Sequence, residues 1–157
     1  MRLRLASACL FAALLTAPAG AQSVPDDAPA WVFLVGSWTC TFSNLSIPVT
    51  ISYARKSAGM YTQQINAQLA NGTTYTENGW IGYDGSAKRW VYLANGDLGD
   101  YSVATSPGWK EGTLVFTGII SSDGDSDKST LKRVNNTTID STVVSTAGTS
   151  TQHCVKK

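Results

Sequence analysis

The sequence predicts an all-β fold, an antiparallel up-and-down barrel of about nine or ten strands, and three observations lead there. From Gly36 onward Val, Ile, Thr, Tyr and Trp dominate, and Gly, Asn, Asp and Ser interrupt them at short intervals. No stretch shows an apolar period of 3.6 residues, so no amphipathic helix is expected. Several segments, "YTQQINAQL" (61–69) and "TYTENGWIGY" (74–83) among them, carry polar residues on both faces. A packed sandwich core would reject that pattern, and a barrel around a partly solvated cavity accepts it.

The chain opens with "MRLRLASACLFAALLTAPAGA" (1–21). Arg2 and Arg4 give a positive start, residues 5–17 are uncharged and mostly apolar, and Ala19-Gly20-Ala21 is a small-x-small cleavage pattern. The segment reads as a signal peptide cut after Ala21, too short to span a bilayer, and the protein is expected to be exported, to the periplasm or beyond. Residues 22–30, "QSVPDDAPA", read as a flexible leader, and 31–157 as one domain; "PAWVFL" (29–34) has the makings of one helical turn. Loss of residues 1–21 leaves 10 basic residues against 11 acidic ones. There is no basic stripe for nucleic acid and no basic amphipathic segment for a membrane surface. Of three cysteines, Cys40 and Cys154 remain, and a pair of cysteines in an exported chain favours a disulfide.

Expected strands run 37–43, 48–55, 60–69, 73–83, 88–95, 99–105, 112–121, 128–134, 137–146 and 149–155. The breaks have turn chemistry: "NGT" (71–73), "YDGSAK" (83–88), "SPGWKEG" (106–112), "SDGDSD" (122–127), "NNT" (135–137) and "AGT" (147–149). A meander of this length closes on itself, because open edges invite aggregation. Alternation puts Trp38, Cys40 and Phe42 on one face of the first strand, Val49, Ile51 and Tyr53 on one face of the second, and Leu114, Phe116 and Ile120 on one face of a later one.

Gly36-Ser37-Trp38 is the G-x-W pattern that opens the first strand of lipocalin-like barrels. Together "FLVGSWTC" (33–40), "GWIGYD" (79–84), "RWVYLANGD" (89–97), "DYSVATSPGW" (100–109) and "HCVKK" (153–157) make the chain resemble small exported bacterial proteins of the DUF1579 type, with a calycin barrel of the lipocalin or nitrobindin kind. The resemblance implies that Trp38 plugs the closed end and that Gly36 lets the chain turn tightly into the strand. It implies no activity. The chain departs from true lipocalins in having only a partial T-D-Y loop at Gly99-Asp100-Tyr101 and no Arg on its last strand. In such a barrel the first and last strands are neighbours, so a Cys40–Cys154 bridge would lock the seam.

His153 invites comparison with the haem-binding histidine of nitrobindin-like barrels. If Cys154 points inward beside Cys40, however, His153 points outward, and "GSWTCTF" lacks the longer glycine pattern of haem binders. "DGDSDKST" (123–130) has alternate aspartates but lacks the Gly and Glu of a calcium loop, and reads as a solvated turn. No cofactor and no metal are expected, and no nucleophile, zinc or phosphate-loop motif is present.

The aromatic residues Trp80, Tyr83, Trp90, Tyr92, Tyr101 and Trp109 cluster in the middle third with Glu77 and Asp100 nearby. They are the candidate ligand-binding residues, suited to a small hydrophobic or amphipathic molecule. "SPGW" (106–109) reads as a lid over the mouth. Glu77 and Trp80 have opposite parity. They share a face only if Gly79 marks a bulge, and regular pairing puts them on opposite sides. The leading reading is a non-enzymatic binding module. The alternatives are an enzyme using cavity carboxylates and an envelope interaction protein with a filled barrel.

Overall fold

The computed structural model describes residues 25–124 and 126–157. A helical turn, α1 (Ala28–Trp31), runs into a 3-10 turn (Val32–Leu34). Among the described residues the strands are β1 (Gly36–Phe42), β2 (Leu45–Ser57), β3 (Met60–Gln68), β4 (Thr74–Asp84), β5 (Arg89–Gly96), β6 (Tyr101–Ser106), β7 (Trp109–Lys110), β8 (Thr113–Ser121), β9 (Lys128–Asn135), β10 (Thr138–Ser145) and β11 (Gly148–Lys156). Each of the ten expected strands is present. The one large change is at the start of β2: Leu45 pairs with Phe42 of β1, residues 46–48 fall in the register shift that follows, and the β3 ladder begins at Val49. Pro48, which has no N–H to give, is tolerated in that half-paired stretch.

Consecutive hairpins join β1 through β6 and β8 through β11. Two further antiparallel pairings, β1 with β11 and β6 with β8, close these ten strands into a barrel. Strand β7 was not anticipated; it is a two-residue ribbon on β8, too short to leave a pattern in the sequence. Cys40 and Cys154 lie directly opposite each other across the β1–β11 seam, with Cα atoms 4.0 Å apart, and are joined in a disulfide. Both are buried, and His153 accordingly stands on the outer face, where its Nδ1 lies 2.6 Å from Asp140 Oδ1.

One end of the barrel is sealed by α1 and the 3-10 turn. Trp31 is 0% exposed there, with ring centroids 4.3 Å from Trp90, 5.8 Å from Tyr61 and 6.1 Å from Trp109. Two buried indole N–H groups and a backbone amide need an acceptor in this plug, and Asp27 supplies it. Its carboxylate accepts from Trp31 Nε1 at 3.0 Å, Trp90 Nε1 at 3.0 Å and the Trp109 amide at 2.8 Å. The flexible leader expected over 22–30 therefore does not extend to its second half: Ala28 is buried and Asp27 is held by three donors. Residues 1–24, including the expected signal peptide, lie outside the described residues. "SPGW" also belongs to this end. It carries Trp109 into the plug and is not a lid over the open mouth.

Trp38 packs under the 3-10 turn, its ring centroid 5.4 Å from that of Phe33. It is buried, and its Nε1 donates to the Leu34 carbonyl at 2.7 Å. Gly36 has φ +126°, a conformation that L side chains rarely adopt, and a Cβ there would come within 2.9 Å of Lys156 Cε. The Lys156 ammonium in turn donates to the Phe33 carbonyl at 2.9 Å and lies 5.3 Å from the Trp38 ring centroid.

Candidate functional site

The plug fills one end of the barrel and leaves the rest open. A cavity of about 310 Å³ runs from Trp31 and Leu34 at its floor to Phe42, Ser121, Asp127 and Val143 at the far end. Aliphatic and aromatic side chains make most of the wall, among them Ile51, Ile65, Ile81, Leu114, Phe116 and Leu131. Polar groups gather on the β2–β5 side, where Tyr53, Gln63, Glu77 and Tyr92 face inward.

Strand pairing explains that gathering. Pairing between β4 and β5 is regular, with Glu77 opposite Gly96, Gly79 opposite Ala94 and Trp80 opposite Leu93. No bulge occurs at Gly79. Glu77 thus points into the barrel and Trp80 out of it. Gly79 has a different use: a Cβ there would come within 2.9 Å of Tyr92 Cε2 and 3.1 Å of Gln63 Oε1. The bare glycine lets the Tyr92 ring lie across the strand and reach back to Glu77.

Glu77 Oε1 accepts from the Tyr92 hydroxyl at 2.8 Å, and Oε2 accepts from the Tyr75 hydroxyl at 3.0 Å. Behind it, Gln63 bridges Tyr92, 2.7 Å from Oε1, and Tyr53, 2.8 Å from Nε2. Gln63 Nε2 donates to the Tyr53 hydroxyl, and the single Tyr92 hydroxyl proton faces both Gln63 Oε1 and Glu77 Oε1. Tyr75 also meets Asp100 Oδ2 at 2.5 Å. Its single hydroxyl proton faces two carboxylates, and Asp100 Oδ1 is a buried atom with no hydrogen-bond partner. The cluster is rich in acceptors and poor in donors. Gly96 makes room for it, since a Cβ there would collide with the Asp100 carboxylate.

The phenols respond to these surroundings. Burial raises the Tyr92 pKa well above the ordinary phenol range, and the Glu77 charge adds to the effect. Burial likewise pushes Tyr53 up to about 12, against a lowering hydrogen bond from Gln63. Tyr75 is raised by burial first, then by Asp100 and Glu77. All three hydroxyls stay protonated far above neutral pH.

The expected aromatic pocket is not what the structure contains. Trp80 is 43% exposed on the outer wall opposite Leu93, and Tyr101 is 48% exposed. Trp90, Trp109 and Tyr83 belong to the plug, with Tyr83 packed edge-on to Trp90 at 5.4 Å. Of the candidate residues, Glu77 and Tyr92 line the cavity, and Asp100 joins them through Tyr75. Sequence reading missed Tyr53, Gln63, Tyr75 and Asp27. The first three share inward parity with residues already read as inward: Tyr53 pairs with Gln63, and Gln63 with Gly79. Following that row from Tyr53 across the sheet would have found the network. Asp27 carries no such signal, because two of its three partners, Trp90 and Trp109, lie 63 and 82 positions away. Among the described residues no group of His, Cys, Asp and Glu is placed to hold a metal ion.

No family model matches the chain, and no curated protein does. Solved structures do. A redesigned beta barrel aligns with a TM-score of 0.51 at 11% identity, covering 86% of this chain and 98% of that one. A de novo designed fluorescence-activating beta barrel aligns with a TM-score of 0.46 at 14% identity, covering 82% and 97%. A redesigned beta barrel bound to DFHBI aligns with a TM-score of 0.47 at 10% identity, covering 82% and 98%. At such identity the first of these speaks for the fold alone, a closed β-barrel.

Proposed function

We propose that this chain is an exported, non-enzymatic module that holds a small amphipathic molecule inside its barrel. One observation carries the reading: a cavity of about 310 Å³ with mostly apolar walls, a polar side built around Glu77, Tyr92 and Gln63, and further polar groups (Ser121, Asp127, Ser129, Ser141 and Gln152) toward its far end. Pockets that bind small molecules have this size and this division of labour, an apolar body with a few fixed polar groups. The filled-barrel alternative loses ground to the same cavity. Export is supported by the signal-like residues 1–21 and by the Cys40–Cys154 bridge, a bond that persists in oxidising compartments. No described helix is long and apolar enough to cross a membrane. The G-x-W start, the plugged end and the bridged seam suit a calycin barrel of the DUF1579 type.

Native mass spectrometry of protein recovered from the exported fraction of its own host tests the proposal. Wild type is expected to carry a small-molecule adduct. Val143→Trp, which fills the cavity from its wall, is expected to lose it. Unliganded spectra for both proteins would overturn the reading.

The enzyme alternative draws on one observation, the convergence of Glu77 and Asp100 on the Tyr75 hydroxyl. An adduct whose mass changes during incubation with wild type, and not with Glu77→Gln, would favour it.

A further inference from the structure

We infer that the cavity selects a cation: an amphiphile with a protonated amine at one end and an apolar, ring-sized body at the other. The inference rests on the binding proposal and adds the chemical class of the ligand.

The first argument is the charge of the wall. Among the described residues lining the cavity, Glu77 and Asp127 are the charged ones, and no Lys, Arg or His lines it. A carboxylate or phosphate ligand would meet the Glu77 charge in a low-dielectric space, with no Lys, Arg or His in the wall to pair with it. An ammonium group would meet its complement there.

The second argument is the donor count. At the cavity wall Glu77 brings two carboxylate oxygens, while Tyr92 shares its one proton between Glu77 and Gln63, and Tyr75, behind the wall, shares its one between Glu77 and Asp100. Each Glu77 oxygen takes one tyrosine hydroxyl and keeps acceptor capacity. The two hydrogen bonds fix the carboxylate in place before a ligand arrives, so little ordering remains to be done on binding. An ammonium carries three donors and no acceptor, which suits an acceptor-rich site. A neutral alcohol brings one.

The third argument is the remainder of the wall. Between the Glu77 side and the far end, where Ser121, Asp127, Ser129, Ser141 and Gln152 also line the cavity, groups such as Phe42, Ile65, Phe116 and Val143 suit an apolar body and offer a cation no solvation. The charged end is placed at Glu77, whose carboxylate two tyrosine hydroxyls hold in position.

Three probes of matched shape separate the possibilities: 2-phenylethylamine, 2-phenylethanol and phenylacetate. Calorimetric titration of each into wild type at neutral pH is expected to rank the amine first, by about tenfold over the alcohol, with phenylacetate weakest. In Glu77→Gln the preference for the amine over the alcohol is expected to fall to within about threefold. Far-UV circular dichroism checks that this variant folds. Should it not fold, the wild-type ranking and its weakening with added salt carry the test alone. Alcohol or phenylacetate binding as tightly as the amine would overturn the cation inference and leave the binding proposal intact. So would a folded Glu77→Gln that keeps the full preference. Failure of all three probes, with a host-derived adduct still seen by native mass spectrometry, would also overturn this inference alone. The same failure with unliganded native spectra would remove the binding proposal as well.

Discussion

Removing the Cys40–Cys154 bridge should cost this protein a large part of its stability. The two residues are 114 positions apart and pair directly across the β1–β11 seam, so the bond closes nearly the whole described chain into one loop. For a loop of about 115 residues the chain-entropy model gives a restriction of the denatured state of roughly 16 cal/mol/K, or about 4.8 kcal/mol at 25 °C. Replacing both cysteines by alanine also deletes two buried sulfurs from the seam, a further loss of about 1 kcal/mol. A loss of about 4–6 kcal/mol is comparable to the whole stability of a marginal domain. Equilibrium urea denaturation of oxidised wild type and of the Cys40→Ala/Cys154→Ala protein measures it. With a slope of about 2 kcal/mol/M, the midpoint should fall by about 2–3 M. A fall worth less than about 1 kcal/mol would refute the reasoning, because a bond closing so long a loop would then restrict the denatured chain hardly at all.

Asp27→Ala leaves the indole N–H groups of Trp31 and Trp90 without their acceptor and should destabilise by about 2–4 kcal/mol, read by the same denaturation experiment. Trp38→Ala removes a buried ring from the closed end and should cost about 3–5 kcal/mol; a loss under about 1 kcal/mol would contradict its plugging role. Gly79→Ala should push the Tyr92 ring away from Glu77 and weaken amine binding several-fold, while Trp80→Ala, on the outer wall, should leave it unchanged. Stability should also fall at high pH. Tyr53 and Tyr92 have folded-state pKa values raised above the unfolded value near 10. For Tyr53 the stabilisation is complete below pH 10 and is lost as pH rises toward about 12, and Tyr92 contributes in the same direction. Tyrosinate absorbance in the native protein should show a late-titrating class, and its absence would contradict the burial of these phenols.

The barrel was legible because strand signals are local. Alternation put Trp38 and Cys40 on one face, and an up-and-down closure then placed Cys40 against Cys154. The plug was only half legible. "PAWVFL" announced a helical turn, but Asp27 is held by donors from Trp31, Trp90 and Trp109, residues that no local pattern connects. The site was misread for a related reason. Trp80 and Trp90 stand out by size and composition, yet composition does not say on which side of a barrel wall, or at which end, a ring lies. Parity does, once register is known: regular pairing through Gly79 sends Trp80 outward and Glu77 inward. The glycine that suggested a bulge serves to admit a ring.

A titration of 15N-labelled protein with 2-phenylethylamine, followed by amide chemical shifts, tests the central claim most directly. Shifts at Phe42, Ile65, Glu77, Tyr92 and Val143, with the outer-wall strand positions Trp80 and Leu93 unmoved, are the result expected of a ligand inside the barrel. Saturable shifts centred on Trp80 and Leu93, with the cavity wall silent, would contradict it.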